Sequence, residues 1–294
     1  MLINFTVSNF RSFGKEERFS MTAGKTRNFS ERTKRLSSAN TKLTKFKAIY
    51  GANASGKSNL VTAIDFMQHA VLHGIPAEST MDYCRNSDAN AEKPSKFTVE
   101  VVLDNVRYIY GFEILLNASR FSKEWMYEIR RQHCKPIFYR DIQEATFEVA
   151  SFVNDSQLAE RLSFYADDIK KDGNILFLNI MNKNKDALYE DYPILLPYRS
   201  IYQWFRFKLS VNHPDEPITQ YEYFFESQGS AAAEELLARF DTGISKVQVC
   251  DESTETFVSR FSKRFLENIV ERLTEQKKRY EDQQVDRTPA IMLR

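Results

Sequence analysis

Cysteine is scarce in this 294-residue chain: Cys84, Cys134 and Cys250 are its only thiols, far apart and odd in number. Such a set excludes a disulfide-stapled scaffold and offers no C-x-x-C pair to a structural zinc, so three reduced thiols are expected. No run of about 18 apolar residues occurs, and no membrane-crossing helix is predicted. Met1 to Phe10 lacks the charged, apolar and small-residue sections of a secretory leader, which points to a cytoplasmic protein without membrane contact. A surplus of one charge sign is missing too. Forty-one Lys/Arg stand against forty Asp/Glu, a formal net of +1, so there is no global attraction toward nucleic acid. What remains is the composition of a globular protein, 42% apolar and 28% charged, long enough to bury a sizeable core as one large domain or two ordinary ones.

The charge is unevenly spread. Met1 to Asn59 holds twelve Lys/Arg and only Glu16, Glu17 and Glu31, a local net of +9. Two readings stay open for this basic front end: a surface that touches nucleic acid, or phosphate attraction combined with a solvated loop. Inside it lies Gly51-Ala52-Asn53-Ala54-Ser55-Gly56-Lys57-Ser58, which fits G-x-x-x-x-G-K-[ST] at every fixed position. The chemistry explains the pattern. Two glycines let the backbone curl so that N–H groups converge on an anion, and a helix beginning at Lys57 aims its positive end at the same point. Lys57 supplies a point charge to the outer phosphates, and the Ser58 hydroxyl is the candidate Mg²⁺ ligand. Phe46 to Tyr50 reads as a short buried strand entering the loop. Leu60, Ile64, Met67 and Val71 then recur at helical spacing, with Gly74 as the stop.

Elsewhere the patterns change in order. Ile3, Phe5 and Val7 alternate with polar residues as a first strand, Asn9 to Gly14 makes a turn, and a second strand is predicted around Glu17 to Met21. Thr22 to Thr44 is polar, basic and aperiodic, the composition of a mobile surface loop. From Phe97 to Ile114 apolar residues alternate on either side of the two-residue turn Asp104-Asn105. Trp125, Tyr127 and Ile129 continue the pattern, with further short strands at 136–139 and 146–152: an antiparallel meander whose aromatics are read as a packed face rather than base-stacking platforms. Helical spacing returns at Ser156. Ala231 to Phe240 is a predicted helix, and a final one carries Val258, Phe261, Phe265, Ile269 and Leu273 before the charged stretch Glu275 to Arg287.

Taken together, Asn9-Phe10-Arg11-Ser12-Phe13, the stretch Ala48 to Asn59, and Phe240-Asp241-Thr242-Gly243-Ile244 resemble one family. It is the ABC-type ATPases related to SMC, RecF and OLD proteins, and within them the bacterial AAA-labelled ATPases of abortive-infection and restriction-linked defence loci. The resemblance implies an α/β fold: a P-loop NTPase head of the ABC type with a mixed sheet, an antiparallel β-meander subdomain and a helical lobe. The expected division is an ATP-binding lobe at 1–155 and a helical lobe at 156–294. By the same resemblance ATP and Mg²⁺ are the cofactors, held by Gly51, Asn53, Ala54, Ser55, Gly56, Lys57, Ser58 and Asn59. Arg11 then becomes a candidate nucleotide contact, where its position alone favours an exposed turn residue.

Family members work as paired heads that sandwich ATP, which implies a homodimer or higher oligomer here. Glu226-Ser227-Gln228-Gly229-Ser230 is similar to the family's signature segment. Asp251-Glu252 imitates the metal-binding carboxylates, but Gln248 spoils the apolar strand that should precede them, and a surface charge pair is the reading adopted. No histidine follows His213. The expectation is therefore the phosphate-loop half of a head, either part of a longer protein or a natural short form. Three functions follow: an ATP-driven switch that controls a nuclease or toxin effector, a nucleotide-dependent scaffold without hydrolysis or an SMC/RecF-like ATPase with DNA as partner, and, less favoured, a P-loop kinase.

Overall fold

The computed structural model describes residues 1–24, 30–36, 41–130, 133–149 and 156–213, with scattered positions between 234 and 274. The chain divides into two compact units, Met1–Val211 and Asn212–Arg294. The expected boundary at 155 lies outside the described residues. So do the signature-like segment, the Phe-Asp-Thr-Gly-Ile stretch beyond Phe240, and Asp251-Glu252.

The first unit is built on a seven-stranded sheet. Its strands are β1 (Leu2–Ser8), β2 (Glu17–Ser20), β5 (Ser95–Leu103), β6 (Val106–Leu115), β7 (Arg120–Arg130), β8 (His133–Asp141) and β9 (Thr146–Val149), in the order β2-β1-β5-β6-β7-β8-β9. The alternation seen in the sequence has its physical counterpart here, because Phe97, Val99 and Val101 on β5 and Tyr108, Tyr110 and Phe112 on β6 are buried on pairing strands. Asp104 and Asn105 both take positive φ, 47° and 63°, the geometry a two-residue hairpin turn needs. Their aromatics form a packed face, as read from the pattern. Gly111 lies in the middle of β6 for a steric reason: a Cβ there would sit 2.6 Å from the Phe97 carbonyl oxygen and 2.7 Å from the Trp125 ring.

Two expectations are corrected. Every strand pairing among the described residues is antiparallel, so the sheet is not mixed, and β1 joins the meander directly by pairing with β5. The stretch Thr22 to Thr44 is not without structure. It contains a hairpin of β3 (Thr33–Arg35) and β4 (Lys42–Thr44), whose Leu43 and Leu36 pack with Ile3 in a small second core. Two buried leucines in a basic, aperiodic run are too few to produce a readable period, and a tertiary contact decides the matter.

Helix α1 (Lys57–His73) covers one region of the sheet. Ala63, Phe66, Met67, Ala70 and Val71 form its buried stripe, and Gly74 ends it at φ 93°, where its N–H caps the Ala70 carbonyl. Helices α2 (Ser156–Ile169), α3 (Phe177–Asn182), α4 (Asp186–Asp191) and α5 (Leu196–Gln203) follow, then a π-helical turn at Trp204–Lys208. Leu158, Leu162, Ala166 and Ile169 are the buried stripe of α2. All of these helices belong to the same unit as the sheet. In the second unit Glu234, Glu235 and residues 237–239 are helical, in keeping with the helix read there. No helix among the described residues is long and apolar enough to cross a membrane.

Candidate functional site

The site begins with Asn9. Its φ of 51° is tolerable for asparagine, whose short amide can satisfy neighbouring backbone groups in the left-handed region. Here the amide does so across long sequence distances. Nδ2 donates to the carbonyls of Asn90 (2.9 Å) and Lys93 (2.8 Å), and Oδ1 accepts from the Cys84 N–H at 3.2 Å. The Asn9 carbonyl in turn accepts from the Ser95 hydroxyl. One buried side chain thus clamps the turn after β1 onto the loops that lead into β5.

Phe10 then acts as a wedge. It is fully buried, with ring centroids 5.3 Å from Phe66 of α1 and 5.2 Å from Phe97 of β5, and those two rings stack at 4.9 Å. Burying one such side chain is worth about 1.5–3 kcal/mol, so the turn cannot drift from the helix. The next two residues face outward. The Ser12 hydroxyl accepts from the Asn59 amide at 2.9 Å, tying the turn to the first turn of α1. Gly56 lies against the same hydroxyl: a Cβ on it would stand 2.9 Å from Ser12 Oγ, and its φ of 89° would strain any other residue.

The phosphate-type loop sits at the start of α1. Ala54 and Gly56 are both left-handed, at φ 61° and 89°, and the Ser55 N–H closes a turn on the Ala52 carbonyl at 3.3 Å. Gly51 is close-packed as well, since a Cβ there would approach Ser55 Oγ at 2.7 Å. Lys57 folds back over the loop, donating from Nζ to the carbonyls of Gly51 (2.8 Å) and Ala52 (2.7 Å) and reaching Ser55 Oγ at 3.4 Å. Lys57, Ser58 and Asn59 therefore occupy the first turn of α1, where N–H groups without intrahelical partners and the positive end of the helix coincide. That turn carries no acidic residue, and from Arg32 to Ile64 the sequence contains none at all.

Arg11 is near this loop but engaged. At φ 47° it donates its own N–H to the Asp82 carbonyl at 2.7 Å, and its guanidinium forks onto the Asp82 carboxylate at 3.0 and 3.4 Å. Nothing in the sequence marked Asp82, because the pairing spans 71 residues and no local pattern connects the two. Asn9 had one faint signal, its place just after a strand where a left-handed residue is wanted.

One prediction about the site is overturned. Phe46 to Tyr50 is not a buried strand: the segment has no strand pairing, and Phe46, Ile49 and Tyr50 are 80%, 45% and 91% exposed. The residues have the right β-forming character, but none of the described strands pairs with this segment. Of the thiols, Cys84 is buried and Cys134 exposed, both free, and Cys250 lies outside the described residues.

A glycine-bounded loop with a lysine and a serine at a helix N-terminus, braced by a preceding turn, has the arrangement that phosphate binding asks for. Residues 46–170 match the family described as "AAA domain, putative AbiEii toxin, Type IV TA system". The match begins at the segment entering the loop and runs through α1, the meander and the end of α2, and it supports an AAA/ABC-like P-loop ATPase domain of the abortive-infection group. No curated protein matches the chain.

Proposed function

We propose that this protein binds ATP with Mg²⁺ and works as an ATP-dependent switch in which the pairing of two copies controls an effector, a nuclease or toxin, in antiphage defence. The observation that carries the reading is the folding of Lys57 across the Gly51 and Ala52 carbonyls at the start of α1. The ammonium is already held over the loop, and the residues beside it fit a triphosphate: small at Gly51, Ala54 and Gly56, with the Ser58 hydroxyl at hand for Mg²⁺. In this reading Asn53, Ser55 and Asn59 line the same grip and Arg11 contributes its charge from the side. The family match supplies the link to abortive infection and to an effector partner.

A second reading, a nucleotide-dependent scaffold that does not hydrolyse, draws on the lack of any carboxylate from Arg32 to Ile64. Phosphoryl transfer to water needs a group that orients the nucleophile, and this limb of the chain supplies none. Isothermal titration with ATP and MgCl₂, followed by a turnover assay, separates the two. Binding with turnover supports the ATPase, and binding without turnover supports the scaffold. Absence of binding, or equal binding by Lys57→Ala, sinks both. Sizing with and without ATP·Mg²⁺ tests the pairing of copies.

A further inference from the structure

We propose that His69 and His73 of α1 form a chelating site for a divalent transition cation of the nitrogen-preferring kind: Zn²⁺, Ni²⁺ or Cu²⁺. Two of the chain's four histidines stand four residues apart on this one helix. At 3.6 residues per turn, that spacing sets them one above the other on the same face. Their rings are neighbours, with centroids 5.1 Å apart and planes at 54°, and both residues are exposed. A cation between two imidazoles so placed can take a nitrogen from each at about 2.0–2.1 Å.

One of the two rings is already set for ligation. His69 Nδ1 stands 3.0 Å from the Gly74 carbonyl oxygen. A carbonyl oxygen only accepts, so Nδ1 carries the proton and the lone pair of the neutral ring is on Nε2. Histidines that hold metals are oriented in this way, one nitrogen donating to an oxygen while the other ligates. The helix beneath is fixed. Gln68 Nε2 donates to the carbonyls of Phe205 (2.6 Å) and Leu209 (2.9 Å), and Asn179 Nδ2 to those of Val71 (3.2 Å) and Leu72 (3.3 Å). Ligands on a pinned helix lose little freedom when the ion arrives, and the first bond brings the second nitrogen within reach.

The end of α1 suits a cation. The partial negative charge of the helix lies in its last turn, where His73 sits, and Asp65, four residues before His69, adds a carboxylate on the same face. No group of three or more ligating side chains occurs among the described residues. The histidines therefore supply two nitrogens, and water completes the coordination. Donor type separates this ion from one at the phosphate loop, since imidazole suits Zn²⁺, Ni²⁺ and Cu²⁺ whereas Mg²⁺ takes oxygen. The helix separates them too: His69 lies twelve residues beyond Lys57, which is about 18 Å along α1. Metal binding at the histidines thus stands apart from the nucleotide reading.

The test uses the full chain, stripped of metal with a chelator and titrated with ZnCl₂ in a calorimeter without nucleotide. Binding should weaken at least about tenfold in His69→Gln and again in His73→Gln, and it should weaken at acidic pH, where protons compete for the ring nitrogens. Both changes fall on exposed side chains, so an unaltered urea midpoint of the metal-free variants verifies the fold. Affinity should be kept in Lys57→Ala and in His133→Gln with Cys134→Ser, which removes an exposed histidine and thiol on β8. MgCl₂ in place of ZnCl₂ should not bind at the histidines. With one equivalent of CuCl₂, the electron paramagnetic resonance spectrum should show nitrogen hyperfine coupling that is reduced in either histidine variant. Absence of Zn²⁺ binding overturns the proposal. So does binding that survives both histidine changes, or binding that is lost with Lys57 or with the β8 pair.

Discussion

Glu124 and Arg140 sit opposite one another on adjacent strands, both wholly buried, with Glu124 Oε2 and Arg140 Nη1 3.7 Å apart. Each also reaches off the sheet. Glu124 accepts the N–H groups of Phe177 (2.6 Å) and Leu178 (3.0 Å) at the start of α3, and the Tyr110 hydroxyl at 3.0 Å. Arg140 donates to the carbonyls of Ile169, the last residue of α2, and Asp172 beyond it and, at 2.8 Å, to that of Ile175. The pair is the clip that fastens the helices to the meander. Burial pushes the Glu124 carboxyl up, while Arg140 and the three donors pull it back toward the charged form.

Breaking that clip on one side should be expensive. Glu124→Ala or Arg140→Ala leaves its partner's charge buried without a counter-charge, and each is expected to cost about 3–5 kcal/mol. The double change Glu124→Leu, Arg140→Met should cost less than either single change. Urea denaturation of the three variants measures it, and a double variant weaker than both singles would contradict the arrangement.

Asp141 next door gives a pH signature. Burial alone would raise its carboxyl, but the N–H groups of Glu144 and Gln143 and the Lys123 ammonium at 3.1 Å outweigh it, and the group is held below 3.8. A carboxylate lowered on folding stabilises the protein above its unfolded value, and that contribution fades as pH falls through the folded one. Wild type should therefore exceed Asp141→Asn in stability at pH 7, and the gap should close below 3.8. Unfolding curves of both proteins over an acid series check the sign.

The two cations near the loop are tested together with the partner of one of them. Lys57→Ala is expected to weaken ATP binding by at least about tenfold with little change in stability, because its hydrogen bonds are exposed. Arg11→Ala is also expected to weaken ATP binding. Asp82→Ala should not, since it removes only the pairing partner, and an exposed ion pair is worth about 0.2–1 kcal/mol. Titration calorimetry on the three variants distinguishes a nucleotide contact at Arg11 from a purely structural pair with Asp82.

Gly111→Ala tests the closeness of the meander. The added carbon would meet the Phe97 carbonyl oxygen at 2.6 Å, a backbone atom that cannot swing aside. A destabilisation of about 1–3 kcal/mol is expected, read as a lower thermal midpoint. A neutral result would mean that β5 and β6 can part without cost.

Much of this was open to reading along the chain. The strands of the meander follow the period of Phe97 to Ile114, the turn at Asp104-Asn105 follows from residues that tolerate left-handed backbone, and α1 begins at Lys57 and stops before Gly74. These features are local, decided by a side chain and its few neighbours in sequence. The hairpin at Thr33 to Thr44 was hidden because a small buried cluster, Leu43 with Ile3 and Leu36, organises it.

Sequence alone determined the phosphate-type loop, because two glycines, a lysine and a serine at fixed spacing are a local requirement of backbone curl and helix start. Tertiary structure decided what surrounds it. The bond of Ser12 to Asn59, the wedge of Phe10 and the hold of Asp82 on Arg11 are set between residues far apart in the chain, where no spacing rule reaches. It also left Phe46 to Tyr50 unpaired. A segment's residues establish that it can form a strand, but only neighbours in space supply the hydrogen bonds that make it one.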